Sequence, residues 1–297
     1  MKKYVILTDS GSDLEYGLRK LYNIEYLPTH LSCDGVDYEA NLDWEMMPVK
    51  DFYNAMREGK RFISTQVNVE AYKAKFKQCV EDGYDVLSIS SSSALSAGVK
   101  ASYVARDEVL KDYPDAKIIC VDSLRGCYAL GLLVLRAGEL QAEGKTIEET
   151  AQWIEENKLT VNMIGSVDSL TYLKRAGRVS ATSAFFGGLL NIKPIIIADA
   201  QGRNFAQEKV KGRRASFVRT VEKVKEAYED VPYQRMMISH ADCYDEALLL
   251  KNMICEALGK EIDIHIGYVG GCVGSATGPG MVGVFFFGKK VTVNALE

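Results

Sequence analysis

Histidine is scarce in this sequence: 297 residues hold three, at His30, His240 and His265. None stands at metal-ligand spacing from another candidate ligand, so a zinc or iron centre is not expected. The seven cysteines are odd in number and scattered, with no C-x-x-C pair. Reduced thiols, mostly small buried apolar residues, are expected rather than a disulfide frame. Prolines number only six, and no Ser/Gly-rich tract marks a disordered linker. There is no excess of positive charge: 36 − 40 leaves −4, which gives no global field for nucleic acid or an anionic membrane. Long apolar runs are also missing. Stretches such as Met281–Phe287 fall far short of the roughly 20 residues a membrane helix needs. At the start, Lys2-Lys3 precede an apolar run of only Tyr4 to Leu7, with Asp9 and Asp13 close behind. That is too short for a secretory core and reads as a first strand, so a cytoplasmic location is expected. Of the enzyme signatures, the G-x-S-x-G elbow is missing, and no dinucleotide or P-loop is expected. Gly144-Lys145-Thr146 imitates the end of a P-loop, but Glu139 stands where glycine is required and the tripeptide follows a helix.

What remains is an ordinary globular composition, 47% hydrophobic and 26% charged, in a chain long enough for two domains. The first half alternates short strands with helices. Strands are predicted at Tyr4–Leu7, Asp85–Ile89 and Lys117–Val121, with helices from Leu14, over 98–110 and over 127–143. That rhythm predicts a parallel, Rossmann-like sheet covered on both faces. From about Lys158 the pattern changes. Strands at Val161–Val167, Pro194–Ala198 and Arg203–Val210 include a hairpin around Ala200-Gln201-Gly202, and helices are predicted at 169–176, 214–228 and 244–258. Further strands follow at 235–239, 262–268 and 282–287. A mixed sheet is expected there. The reading is therefore α/β with two domains, 1–158 carrying a polar site and 159–297 an apolar pocket.

In open α/β sheets ligands bind beyond the carboxyl ends of the strands. Three predicted strands release small polar residues there: Thr8-Asp9-Ser10, Ser90–Ser96 and Asp122-Ser123. Ser96 stands just before the helix that opens at Gly98, a place that suits either a plain N-cap or a site for a carboxylate or phosphate. Ser64-Thr65-Gln66 allows the same two readings. The Gly274–Gly280 run reads as a tight turn between strands or as a close approach to a ligand. Leu170, Leu173, Phe185, Phe186, Leu189 and Leu190 lie on two short predicted helices, either as core or as the lining of an alkyl tunnel. Met236, Met237, Met253 and Phe285–Phe287 are further candidates for that lining. His265 reads as structural, whereas His240 ends a strand at a plausible site edge.

Eight segments, in order, resemble the DegV family along essentially the whole chain. They are TDSGSDL at 8–14, STQ at 64–66, SSALS at 92–96, VDS at 121–123, VDSLTYLKRAGRVS at 167–180, LLNIKPI at 189–195, KGRRA at 211–215 and TGPG at 277–280. The resemblance implies two α/β domains that hold a long-chain fatty acid between them. It further implies presentation of the acid to a separate ATP-using fatty acid kinase, which makes the acyl phosphate. By position, Ser96 with the backbone of Ala97 and Gly98 would cradle the carboxylate, Thr65 with Ser64 would supply hydroxyls, and the Ala276-Thr277 loop would close the head-group side. Arg178 would lie on the surface that docks the kinase. No catalytic residue, cofactor or metal is implied for this subunit. The chain departs from the family pattern at three places. Val67 replaces a proline, Ala97-Gly98 replace glycine and threonine, and Ala276 replaces a histidine, so the site has fewer donors. Two other readings stand beside a carrier: a stand-alone enzyme for a small acyl or phosphate substrate built on Asp9, Ser96 and Asp122, and a lipid-sensing regulator.

Overall fold

The computed structural model describes residues 3–180 and 191–295. The first half runs β1 (Tyr4–Asp9), α1 (Tyr16–Lys20), β2 (Glu25–Leu27), β3 (Thr29–Cys33), β4 (Val36–Ala40), α2 (Val49–Arg57) and β5 (Ile63–Thr65). It continues with α3 (Val69–Glu81), β6 (Asp85–Ser90), α4 (Gly98–Asp112), β7 (Ile118–Asp122), α5 (Tyr128–Ala142) and α6 (Ile147–Asn157). Strands β2-β1-β6-β7 form a sheet in which every pairing is parallel, as the alternating pattern predicts. A small antiparallel sheet, β4-β3-β5, is an addition the strand–helix rhythm did not announce. Local chemistry sets the helix ends. Asn68 caps α3 by accepting the Ala71 amide at 2.8 Å, and Thr146 with Glu149 forms a reciprocal capping box on α6. Thus Gly144-Lys145-Thr146 joins two helices and is no P-loop.

The second half runs β8 (Val161–Ser166), α7 (Leu170–Ala176), β9 (Val179–Ser180), β10 (Ile192–Ala198), β11 (Asn204–Lys211), α8 (Arg213–Ala227), β12 (Met236–His240), α9 (Tyr244–Leu258), β13 (Ile264–Tyr268), α10 (Gly271–Thr277) and β14 (Val282–Phe287). Its seven-stranded sheet, ordered β13-β12-β14-β8-β10-β11-β9, is mixed. One face packs on α8 and α9 through residues such as Ile164, Ile195, Val282 and Val284. The opposite face, with Val161, Val167, Ile196, Phe285 and Phe287, belongs to a core shared with the first half. Helix α5 is the centre of that shared core. Its residues from Tyr128 to Leu135 are all buried, because it packs on β1 and β6 on one side and on β8, β12 and β14 on the other. A helix apolar all round is the sequence form of such a position. The fold is thus two α/β domains, and we propose their division at 158/159, between α6 and β8. Among the described residues, no helix is long and apolar enough to cross a membrane.

Candidate functional site

Strands β1, β6 and β7 deliver three loops to one edge of the parallel sheet, and the acids of those loops face inward to hold them. Asp9 is buried and accepts three hydrogen bonds, from the Gly11 amide at 2.9 Å, the Ser91 amide at 2.8 Å and the Ser91 hydroxyl at 2.6 Å. Burial pushes its carboxyl above the usual range, and those bonds pull it back. Asp122 accepts from the amides of Ser93 and Leu124. These carboxylates therefore position serines. Ser96 Oγ accepts the Gly98 amide at 3.2 Å, so its own O–H stays free to donate. Helix α4 formally begins after Ala97, which caps nothing.

Ser64 and Thr65 end β5 and do not cap a helix; Asn68 does that for α3. Their side chains make no hydrogen bond within the described residues. The Gly274–Gly280 run also differs from expectation, since most of it is helical. Residues 271–277 form α10, and the Thr277 hydroxyl donates to the Val273 carbonyl at 3.2 Å. Thr277 therefore faces the site with its proton engaged, and Ala276 presents only a methyl.

These elements close around a cavity of about 600 Å³, within the usual range for small-molecule sites. Ser64, Thr65, Ser96, Ala97, Ala276 and Thr277 all line it, and Gly98 lies just behind, buried at the start of α4. Ser93 and Gln66 add polar groups. Ser93 belongs to a serine run that the sequence marks, but the run does not say which hydroxyl is free. The wall from the second domain is mostly apolar, with Met163, Gly165, Val167, Leu173, Ile196 and Met281, and Ser166 and Asn204 interrupt it. Leu173 lines the cavity as expected, whereas Leu170 packs, half-buried, against the shared core. Phe185, Phe186, Leu189 and Leu190 lie outside the described residues. Met236 and Phe285–Phe287 are core residues, and Met163 and Met281 take the place foreseen for them. The preference of that wall for methionine and glycine carries no local signature.

Arg178 borders the cavity as well as being exposed. Gly177 ends α7 in the left-handed conformation (φ 65°), and Arg178 donates back to the Ala176 carbonyl at 2.8 Å. A small cleft beside the mouth shares Ser64, Ala276 and Arg178 with the cavity and adds Arg61 and Arg175. The only other titratable lining residues, among those described, are thiols. The Cys272 thiol is pushed up to about 12, by burial above all, with Asp9 and Asp13 adding to it and Thr29 and Arg178 opposing it. Burial also raises the Cys127 thiol, which lies 2.8 Å from Asp13 Oδ2. Both stay protonated and are poor nucleophiles.

His240 is not at the site. It is 1% exposed, its Nδ1 accepts the Cys243 amide at 3.2 Å, and its ring packs on Tyr268. His265 joins the domain seam, with Nε2 2.5 Å from Glu15 Oε1. The spelling G-x-G-x-x-G does occur once, at Gly278–Gly283. It leads from α10 into β14, whereas a dinucleotide loop leads from a strand into a helix, so it is not one. Among the described residues no cluster of ligands could hold a metal ion.

The comparisons agree with this architecture. The DegV family model, described as "Uncharacterised protein, DegV family", matches residues 3–289. A DegV domain-containing protein of Clostridium perfringens is 40% identical over 97% of this chain and 98% of its own length. Among solved structures, a DegV lipid binding protein from Thermotoga maritima superposes with a TM-score of 0.83 at 27% identity, over 98% of this chain and all of its own. DegV from Bacillus subtilis, described as a fatty acid binding protein, gives 0.82 at 26% identity over 97% of this chain and all of its own. With a full-length family match, a close relative and this two-domain geometry in agreement, the chain belongs to the DegV family.

Proposed function

We propose that this protein is a non-catalytic carrier that holds a long-chain fatty acid in the cavity between its domains and presents the carboxylate to an ATP-using kinase. The observation that carries the reading is the division of the cavity wall. Hydroxyls of Ser64, Thr65 and Ser93 that bond nothing among the described residues, with the O–H of Ser96, meet one end of a ligand, and a mostly apolar wall meets the rest. A carboxylate accepts hydrogen bonds only, so it matches a ring of donors. An alkyl chain asks for nothing but exclusion of water. About 14 buried methylenes at ~0.8 kcal/mol each give roughly 11 kcal/mol before entropic costs, so the head group has only to orient and select. The donors that Ala97, Gly98 and Ala276 do not supply are made up by Ser93 and Gln66. Fatty-acid-binding DegV proteins from Bacillus subtilis and Thermus thermophilus, the latter at 25% identity, support the reading.

The lining does not favour an enzyme. Asp9 and Asp122 are spent on loop amides, and both cavity thiols are held neutral. A general base needs a free, suitably tuned group within reach of substrate. Arg178 at the rim suits a docking role, since a guanidinium grips carboxylate or phosphate bidentately.

Mass spectrometry of small molecules extracted from the native protein tests the ligand: about one fatty acid per chain is expected. Repeated extracts holding only nucleotides or sugars would refute it. Arg178→Ala tests the presentation. Acyl phosphate formed with kinase and ATP should fall at least about tenfold, with lipid content unchanged. Lost lipid content would instead assign Arg178 to the pocket, and unimpaired phosphorylation would remove it from the docking surface.

A further inference from the structure

Gly165 sits in the interior of β8, on the face that borders the cavity. Glycine there weakens a strand, because it adds backbone entropy and packs nothing. Its register partner on the same face is Gly283 of β14, and the two glycines have different reasons to be small. A Cβ on Gly283 would lie 2.9 Å from Met281 Cε and 2.9 Å from the Phe285 ring. The core would have to shift to admit it. A Cβ on Gly165 would meet the Val282 carbonyl oxygen at 3.6 Å and Met281 Cε at 3.8 Å, which is ordinary contact. Its φ is not in the left-handed region either. Nothing among the described residues requires glycine at 165. What the absent side chain leaves open is the cavity, between Met163 and Val167 on its own strand and Ile196 on the next.

We propose that Gly165 is a specificity-determining residue: the space left by its missing side chain sets how long an acyl chain the cavity accepts. The inference rests on the fatty-acid reading and adds a residue to it. Side chains grown from position 165 would occupy volume that the distal methylenes of a long ligand otherwise fill. Shorter ligands, which end before that wall, would not feel them.

The experiment is a graded series, Gly165→Ala, Gly165→Val and Gly165→Leu, each titrated with saturated fatty acids from decanoate to octadecanoate by displacement of a fluorescent fatty acid. Each displaced methylene should cost about fourfold in affinity. Octadecanoate should therefore weaken by about tenfold or more in Gly165→Val, with decanoate within about twofold. Gly165→Ala adds one methyl at ordinary contact distance, so it should fold and shift the preference in the same direction by less. Gly138→Ala, whose Cβ would run into the Tyr22 side chain away from the cavity, is the control, lowering the thermal midpoint without reordering the chain lengths. An equal loss at every length, or no change at any, overturns the role of Gly165 while leaving the carrier reading intact. Wild-type protein that binds no fatty acid of any length overturns both.

Discussion

The seam between the two domains and the cavity at its edge both carry polar side chains, and they treat those groups in opposite ways. In the seam, partners meet across the boundary. Tyr53 donates to the Val269 carbonyl at 2.6 Å, Arg235 to Glu139 at 2.7 Å and Arg57 to Asp242 at 2.6 Å. In the cavity, Ser64, Thr65 and Ser93 face inward with hydroxyls that no described residue bonds. Ser64 and Ser93 are half-buried and Thr65 is exposed, so water serves these hydroxyls until a ligand takes its place. The difference marks one region as fastening and the other as reception.

The first way to break that comparison is to cut the fastening. Tyr53 is fully buried, packs on Phe52 and Trp44, and holds α2 to the strand end at Val269. Tyr53→Ala should lower stability by about 3–5 kcal/mol in chemical denaturation. A loss under about 1 kcal/mol would mean that the seam is not a shared core.

The second concerns a seam group that is poorly served. Asp13 Oδ2 accepts the Cys127 thiol, while Oδ1 is buried against Gly270. Burial raises its carboxyl from the usual 3.8 to about 7. A raised pKa means that the folded state holds a proton the unfolded chain has lost. Stability contributed by neutral Asp13 is thus complete below about pH 4 and is lost as pH rises through about 7, by at most about 4 kcal/mol. Denaturation midpoints measured across that window should fall for the wild type and flatten in Asp13→Asn. Identical profiles would show that the carboxyl is already ionised in the folded protein.

Two smaller effects sharpen the cavity side. Thr65→Val and Ser96→Ala should each weaken fatty-acid binding by about 1–3 kcal/mol, because a carboxylate loses a donor where water is excluded. Thr65→Val should leave stability within about 0.5 kcal/mol, in contrast to the seam. Unchanged affinity in both would place the head group elsewhere. Ala276→His, on a methyl that lines the cavity, should tighten binding by about 1 kcal/mol, fading above about pH 6.5 as the imidazole loses its charge. Affinity that ignores both substitution and pH would mean that position 276 does not face the ligand.

Much of this was legible in the chain itself. Alternation of short strands and amphipathic helices specified the parallel sheet, and the hairpin around Gly202 specified the mixed one. Helix α5 was visible as an apolar segment from 128 to 142, and Ser64, Thr65, Ser96 and Ala276 all line the predicted cavity. These signals are local: period, caps and the small polar residues that follow a strand. Tertiary structure decided the rest. His240 looked available at a strand end until Tyr268 and Cys243 closed around it. Residues 274–277 looked like a turn until they packed as a helix against α7 and β5. Asp9 and Ser91 lie 82 positions apart in the chain, and only their meeting shows that the acid is spent and that Ser93 is not. Gly165 and Gly283 read alike as strand glycines, and only their neighbours separate a packing need from ordinary contact. The sequence determined which polar and apolar groups exist and the period on which they recur. Which of them remain unpaired depends on partners brought from distant segments, and that pairing exists only in the folded chain.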